Sequence, residues 1–138
     1  MFEPFVAAQD PIYASVLAEL RAGQKATHWM WFIFPQLRAL GRSATALRFG
    51  IADLDEARAY LAHPVLGPRL RECTEAVNRV SGRTAHEIFG SPDDMKFRSS
   101  MTLFAHAADD PAPFRRALER YYDGLEDPVT VGLIGGER

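Results

Sequence analysis

The segment His28-Trp29-Met30-Trp31-Phe32-Ile33-Phe34-Pro35-Gln36 gathers the side chains best suited to chemistry, both tryptophans of the chain among them. An imidazole titrates near neutral pH and can take up or give a proton, which makes His28 the candidate catalytic group. A histidine near a helix start also fits a cap or a packed group. Gln36 carries a donor and an acceptor and can read an amide or base edge, or it can satisfy backbone freed at Pro35. Both roles stay open. An indole N–H needs a partner when buried. With Lys25 just upstream, the run could line a pocket for a flat, partly apolar ligand. Aromatic runs also pack, so a core role is expected in either case.

A second stretch, Ser91–Ala107, sorts its residues onto separate faces at the helical spacing of about 3.6. Phe97, Met101 and Phe104 form a face that should enter the core. Lys96, Ser99, Ser100 and Leu103 form a neighbouring face, and Arg98 and Thr102 another. One ammonium with two hydroxyls can bind an oxyanion such as phosphate; the same residues also fit plain packing beside a solvated lysine. If the two stretches meet, lysines and hydroxyls surround an aromatic floor, an arrangement for an anionic group attached to a flat ring. The candidate ligand-binding residues are therefore Lys25, Trp29, Trp31, Gln36, Lys96, Arg98, Ser99 and Ser100.

Familiar catalytic motifs are absent. There is no phosphate-binding glycine loop, no dinucleotide fingerprint and no nucleophile elbow. His28, His63, His86 and His106 are dispersed, and no metal or cofactor is expected. Cys73 is the only cysteine. It excludes an intrachain disulfide and reads as a buried structural thiol.

The elements that must position these groups read as helices. After Asp10-Pro11, Ile12, Val16, Leu17 and Leu20 form an apolar stripe, with Gly23 as a stop. A helix over much of Thr27–Leu40 should break near Phe34-Pro35. Asp53 with Glu56, and Thr84 with Glu87, are capping pairs. Pro64–Val80 places Leu66, Leu70, Cys73 and Val77 on one face. Asp110–Tyr122 and Asp127–Ile134 complete the set, with Asp before Pro opening each. No hairpin signal with alternating apolar runs is present. The expectation is an all-α fold, one compact domain over residues 1–138 with about six to eight helices.

Composition narrows the function. The chain has 138 residues, 47% of them hydrophobic, enough for a core without staples. Sixteen Lys and Arg against 18 Asp and Glu give a net charge of -2, so nucleic acid is not an expected partner. The start lacks a basic, apolar leader and no apolar run is long enough to span a bilayer. A cytoplasmic location with no membrane association is expected.

Several segments together resemble the bacterial family catalogued as domain of unknown function 1810. They are Phe5–Gln9, Gly23-Gln24-Lys25 leading into His28–Gln36, Leu40-Gly41-Arg42-Ser43, Glu56-Ala57 with Tyr60-Leu61 and His63-Pro64, Leu66-Gly67 with Arg69-Leu70, and Asp94 and Lys96 leading into Ser99–Phe104. The resemblance covers nearly the whole chain and implies a compact all-helical domain; it carries no activity. The calpastatin label often given to such proteins fails physically, because a calpain inhibitor of that type is extended and this composition calls for a packed domain. Kinship with helical proteins that process NAD-derived or ADP-ribosyl compounds is an analogy only. Two functions compete. One is a small enzyme or binder for a phosphorylated or nucleotide-like metabolite of the NAD or ADP-ribose type, with a small anionic metabolite as partner. The other is a non-enzymatic regulatory or protein-interaction module whose protein partner the residues do not identify.

Overall fold

The structure, a computed structural model, describes residues 2–135. Met1 and residues 136–138 of the expected 1–138 span lie outside them. Among the described residues ten α-helices follow one another: α1 (Glu3–Gln9), α2 (Tyr13–Ala22), α3 (Met30–Ile33), α4 (Ala44–Arg48), α5 (Leu54–Ala62), α6 (Leu66–Asn78), α7 (Ala85–Phe89), α8 (Asp93–Ala107), α9 (Ala112–Tyr122) and α10 (Pro128–Gly135). A 3-10 turn spans Arg38–Leu40, and no strand occurs among the described residues. The fold is all-α. The helix number exceeds the expected six to eight because α3, α4 and α7 are scarcely more than one turn each, and α1 is a separate element before α2.

The capping chemistry explains several boundaries. The Asp53 carboxylate accepts the Glu56 N–H at 2.8 Å, and Glu56 reaches back to the Ala52 N–H at 3.2 Å. Thr84 and Glu87 form a reciprocal capping box at α7. Gly23 ends α2 at φ 73, a left-handed conformation that favours glycine. Asp10 departs from its expected role. It lies at the end of α1 with helical backbone angles, and its carboxylate pairs with Arg69 at 2.9 Å instead of capping α2.

The helix expected over much of Thr27–Leu40 does break at Phe34-Pro35, but its two parts are shorter than expected. Only α3 and the 3-10 turn are helical there. The Ala26 and Thr27 N–H groups donate to Glu19, and Pro35 has no N–H to give. Beyond Pro35 the chain runs beside Ile51: the Ile51 N–H donates to Gln36 O at 3.0 Å, and the Arg38 N–H donates to Ile51 O at 2.8 Å. Gly50 permits this approach, since a Cβ there would lie 2.5 Å from Arg38 Cα.

Helix α8 is the centre of the bundle, packed by α5, α9, α7, α10 and α3, while α6 joins α2, α5 and α9. Phe97, Met101 and Phe104 are all fully buried, as the sequence predicts. Phe34 meets Phe97 edge-on at 4.9 Å, and Phe97 stacks on Phe89 at 4.6 Å. That trio fastens the aromatic segment to α8 and α7. Cys73 is buried, and burial pushes its thiol up to about 12, so it is an inert packing group. No helix is long and apolar enough to cross a membrane, among the described residues.

Phe104 packs against Tyr60 at 5.4 Å and Phe114 at 6.0 Å. Phe104→Ala should cost about 3–5 kcal/mol in urea denaturation. A loss under about 1 kcal/mol would contradict its central place in the core.

Candidate functional site

Glu19, on α2, positions the start of the aromatic segment. Its Oε1 accepts the N–H groups of Ala26 at 2.6 Å and Thr27 at 3.0 Å, and the Trp29 indole N–H at 3.0 Å. Its Oε2 accepts the Thr27 hydroxyl at 2.7 Å. Burial works against the carboxylate's charge. The donors from Thr27, Ala26 and Trp29 outweigh it, and the carboxyl is held below its usual range. Trp29 is fully buried with its one polar atom satisfied.

Lys25 and Lys96 converge on one carboxylate. Lys25 Nζ lies 3.0 Å from Asp93 Oδ2, and Lys96 Nζ lies 3.7 Å from Asp93 Oδ1. Only 7% of the Lys25 side chain is exposed, against 27% for Lys96. Each ammonium also sits over an indole face, Lys25 at 5.1 Å from the Trp29 centroid and Lys96 at 5.3 Å from that of Trp31. Two cations on one anion leave this junction positive.

Beside the junction is a crevice between α8 and the α3–α4 segment, lined by Trp31, Phe34, Gln36, Phe49, Gly50 and Lys96, among others. The Gln36 amide does not satisfy backbone freed at Pro35: it faces the crevice and has no hydrogen-bond partner among the described residues. Ser100 stands one helical turn beyond Lys96, fully buried, and its hydroxyl has no partner. An orphaned buried hydroxyl costs about 1–3 kcal/mol. The crevice volume is about 10 Å³, room for one water.

The remaining candidates lie elsewhere. His28 is exposed, without a side-chain partner among the described residues. Arg98 and Ser99 do not reach the crevice. Arg98 donates to Leu125 O at 2.9 Å and Glu126 O at 2.8 Å, and the Ser99 hydroxyl donates to Asp127 Oδ2 at 3.0 Å. Thr102 accepts the Asp127 N–H at 2.9 Å. These faces of α8 hold the segment that leads into α10. The stripe reading fails for Ser99 because neighbouring positions on a helix point about 100° apart.

Two hollows are far larger than the crevice. One, about 730 Å³, is bordered by Asp53, Arg58, His106 and Ile134. There His106 Nε2 hydrogen-bonds the Glu126 carboxylate, which Arg115 also approaches at 3.4 Å. The other, about 820 Å³, is an open, mostly apolar groove along Phe2, Val6, Ala59 and Val65. Size favours these hollows. Chemistry favours the crevice, because His106 is committed to holding Glu126 and the groove offers little polar recognition. No three His, Cys, Asp or Glu groups that could hold a metal come together among the described residues.

Sequence reasoning missed one signal. From Leu20 to Ala52 there is no Asp or Glu, although the chain contains 18, while Arg21, Lys25, Arg38, Arg42 and Arg48 all fall within it. The crevice is built largely from this stretch.

Glu19→Gln should cost about 1–3 kcal/mol at neutral pH, since an amide presents donors to donors. The lowered pKa of Glu19 gives stability that is present above its unfolded value and lost as pH falls through the folded one. Denaturation curves for the native protein and the variant should therefore converge as the solution is acidified. A gap independent of pH would show that Glu19 does not act through its charge.

The comparisons with known proteins agree with this architecture. The family described as "Protein of unknown function (DUF1810)" matches residues 1–134. The crystal structure of the conserved hypothetical protein Rv1873 from Mycobacterium tuberculosis is 59% identical, covers 96% of this chain and 95% of its own, and superposes with a TM-score of 0.95. No curated protein matches the sequence. On the family match and this degree of identity, the chain belongs to the DUF1810 family.

Proposed function

We propose that the protein binds a small phosphorylated, nucleotide-like metabolite, of the NAD or ADP-ribose type, in the crevice between α8 and the α3–α4 segment. The observation that carries this reading is that Trp31, Gln36 and Lys96 line one crevice, with the Lys96 ammonium 5.3 Å from the Trp31 ring centroid. An indole face takes a flat ring, an amide reads its polar edge, and an ammonium takes a phosphate.

Such a ligand needs more room than one water. The part able to move is α4, which has no buried residue and packs mainly on the 3-10 turn. Segments with little buried surface open at low free-energy cost. Lys96 would then exchange its loose contact with Asp93 for the ligand, while Lys25, tighter and nearly buried, keeps the carboxylate. Binding alone satisfies this reading. A cytoplasmic setting suits both the ligand class and the reduced Cys73.

Thermal-shift and calorimetric titrations with ADP-ribose, NAD and nucleoside monophosphates test the reading. At least one should bind, and Lys96→Ala should weaken it by about 10–100-fold, the worth of one charge-assisted hydrogen bond, with little change in melting temperature. No stabilisation by any of them at millimolar concentration would overturn the proposal.

A further inference from the structure

We infer that the crevice selects two linked phosphoryl groups over one, with Arg38, Arg42 and Arg48 holding the second. This rests on the crevice reading above and adds the class of anion to it.

Arg38 and Arg48 each touch a residue of the crevice wall, and Arg42 adjoins a glycine packed against another. The Arg38 backbone lies so close to Gly50 that a Cβ on the glycine would meet Arg38 Cα at 2.5 Å, and its guanidinium donates to Gly50 O at 3.3 Å. The Arg48 guanidinium carbon is 5.5 Å from the ring centroid of Phe49, a wall residue. Arg42 follows Gly41, where a Cβ would meet that of Ala46, another wall residue, at 2.9 Å. All three side chains are exposed.

None of the three pairs with a carboxylate among the described residues. Arg58, Arg69 and Arg116 do pair, with Asp55 at 2.9 Å, Asp10 at 2.9 Å and Glu75 at 2.8 Å, and Arg71, Arg83, Arg98 and Arg120 donate to backbone carbonyls instead; what sets Arg38, Arg42 and Arg48 apart is that they lie together in a stretch that holds no acid at all. In a chain where acids outnumber lysines and arginines, neighbouring cations without an acid repel one another, and an anion removes that repulsion. Across the crevice, Lys96 is already half engaged with Asp93 and supplies one point charge, enough for a single phosphate. The arginines add planar forks, which match phosphoryl oxygens in pairs. The aromatic wall and the net charge of -2 favour a small ligand with a ring over a nucleic-acid strand.

The test is isothermal titration of the whole protein with AMP, ADP and a short single-stranded oligonucleotide. ADP should bind at least about 10-fold more tightly than AMP, the difference of one added charge-assisted contact. The double variant Arg42→Ala/Arg48→Ala should lose about 10–100-fold in ADP affinity and less than about 3-fold in AMP affinity, with an unchanged helical circular dichroism spectrum. Equal affinity for AMP and ADP, or equal losses for both in the variant, overturns the diphosphate assignment and leaves the crevice reading standing. Tighter binding of the oligonucleotide than of ADP also overturns it. Failure of every probe to bind overturns the crevice reading along with it.

Discussion

The Asp93 carboxylate is the join on which the candidate site depends. It is the first residue of α8, where the helix N-terminus favours a negative charge. From there it holds Lys25, which precedes the aromatic segment, and Lys96, one turn along its own helix. A nearly buried ammonium without a carboxylate would be costly, so the position of Lys25 requires Asp93 beside it. The pairing extends into a polar and aromatic chain running Glu19, Trp29, Lys25, Asp93, Lys96, Trp31. Every cation in that chain lies over an indole face, and the Trp29 indole N–H is committed to Glu19. The apolar counterpart is the contact of Phe34 with Phe97 and Phe89, which presses the same two stretches together.

This chain of contacts makes one half of the region rigid and leaves the other half loose. Trp29 is fixed by Glu19 and fully buried. Trp31 lies under Lys96 at the crevice, which Ala46 of α4 also lines. A wall helix without buried residues, beside an unengaged amide, is an arrangement that a ligand can complete. The larger hollows lack that combination. His106, the most chemically able group in either, forms part of the clamp that holds Glu126 against α8.

Much of the helical architecture was legible from local signals. Asp53, Thr84 and Gly23 act where their side-chain or backbone chemistry puts them, and the face of α8 carrying Phe97, Met101 and Phe104 follows from spacing alone. Long-range partners decided the rest. Nothing near Asp10 in sequence announces Arg69, and nothing near Thr27 announces that Glu19 will take its donors. For the candidate site, composition singled out two stretches, and the fold brings them together through Lys25, Asp93 and Lys96 and through Phe34 and Phe97. Composition could not separate Ser99 from Ser100: the two differ by about 100° around the helix, and only the position of Asp127 shows which way each points. The arginine-bearing stretch without acids was also readable, but only a count of where carboxylates are missing reveals it.

The central claim is that a ligand enters at Trp31 and leaves Trp29 in place. With two tryptophans in the chain, an amide-correlation NMR spectrum shows two indole N–H resonances, and each can be assigned by replacing one ring with Phe. Titration with ADP-ribose should shift the Trp31 indole resonance and the amides of Gln36 and Phe49 progressively, while the Trp29 indole, bonded to Glu19, stays where it is. Shifts confined to the region of His106 and Arg58, or no shift at Trp31 at saturating ligand, would contradict the account.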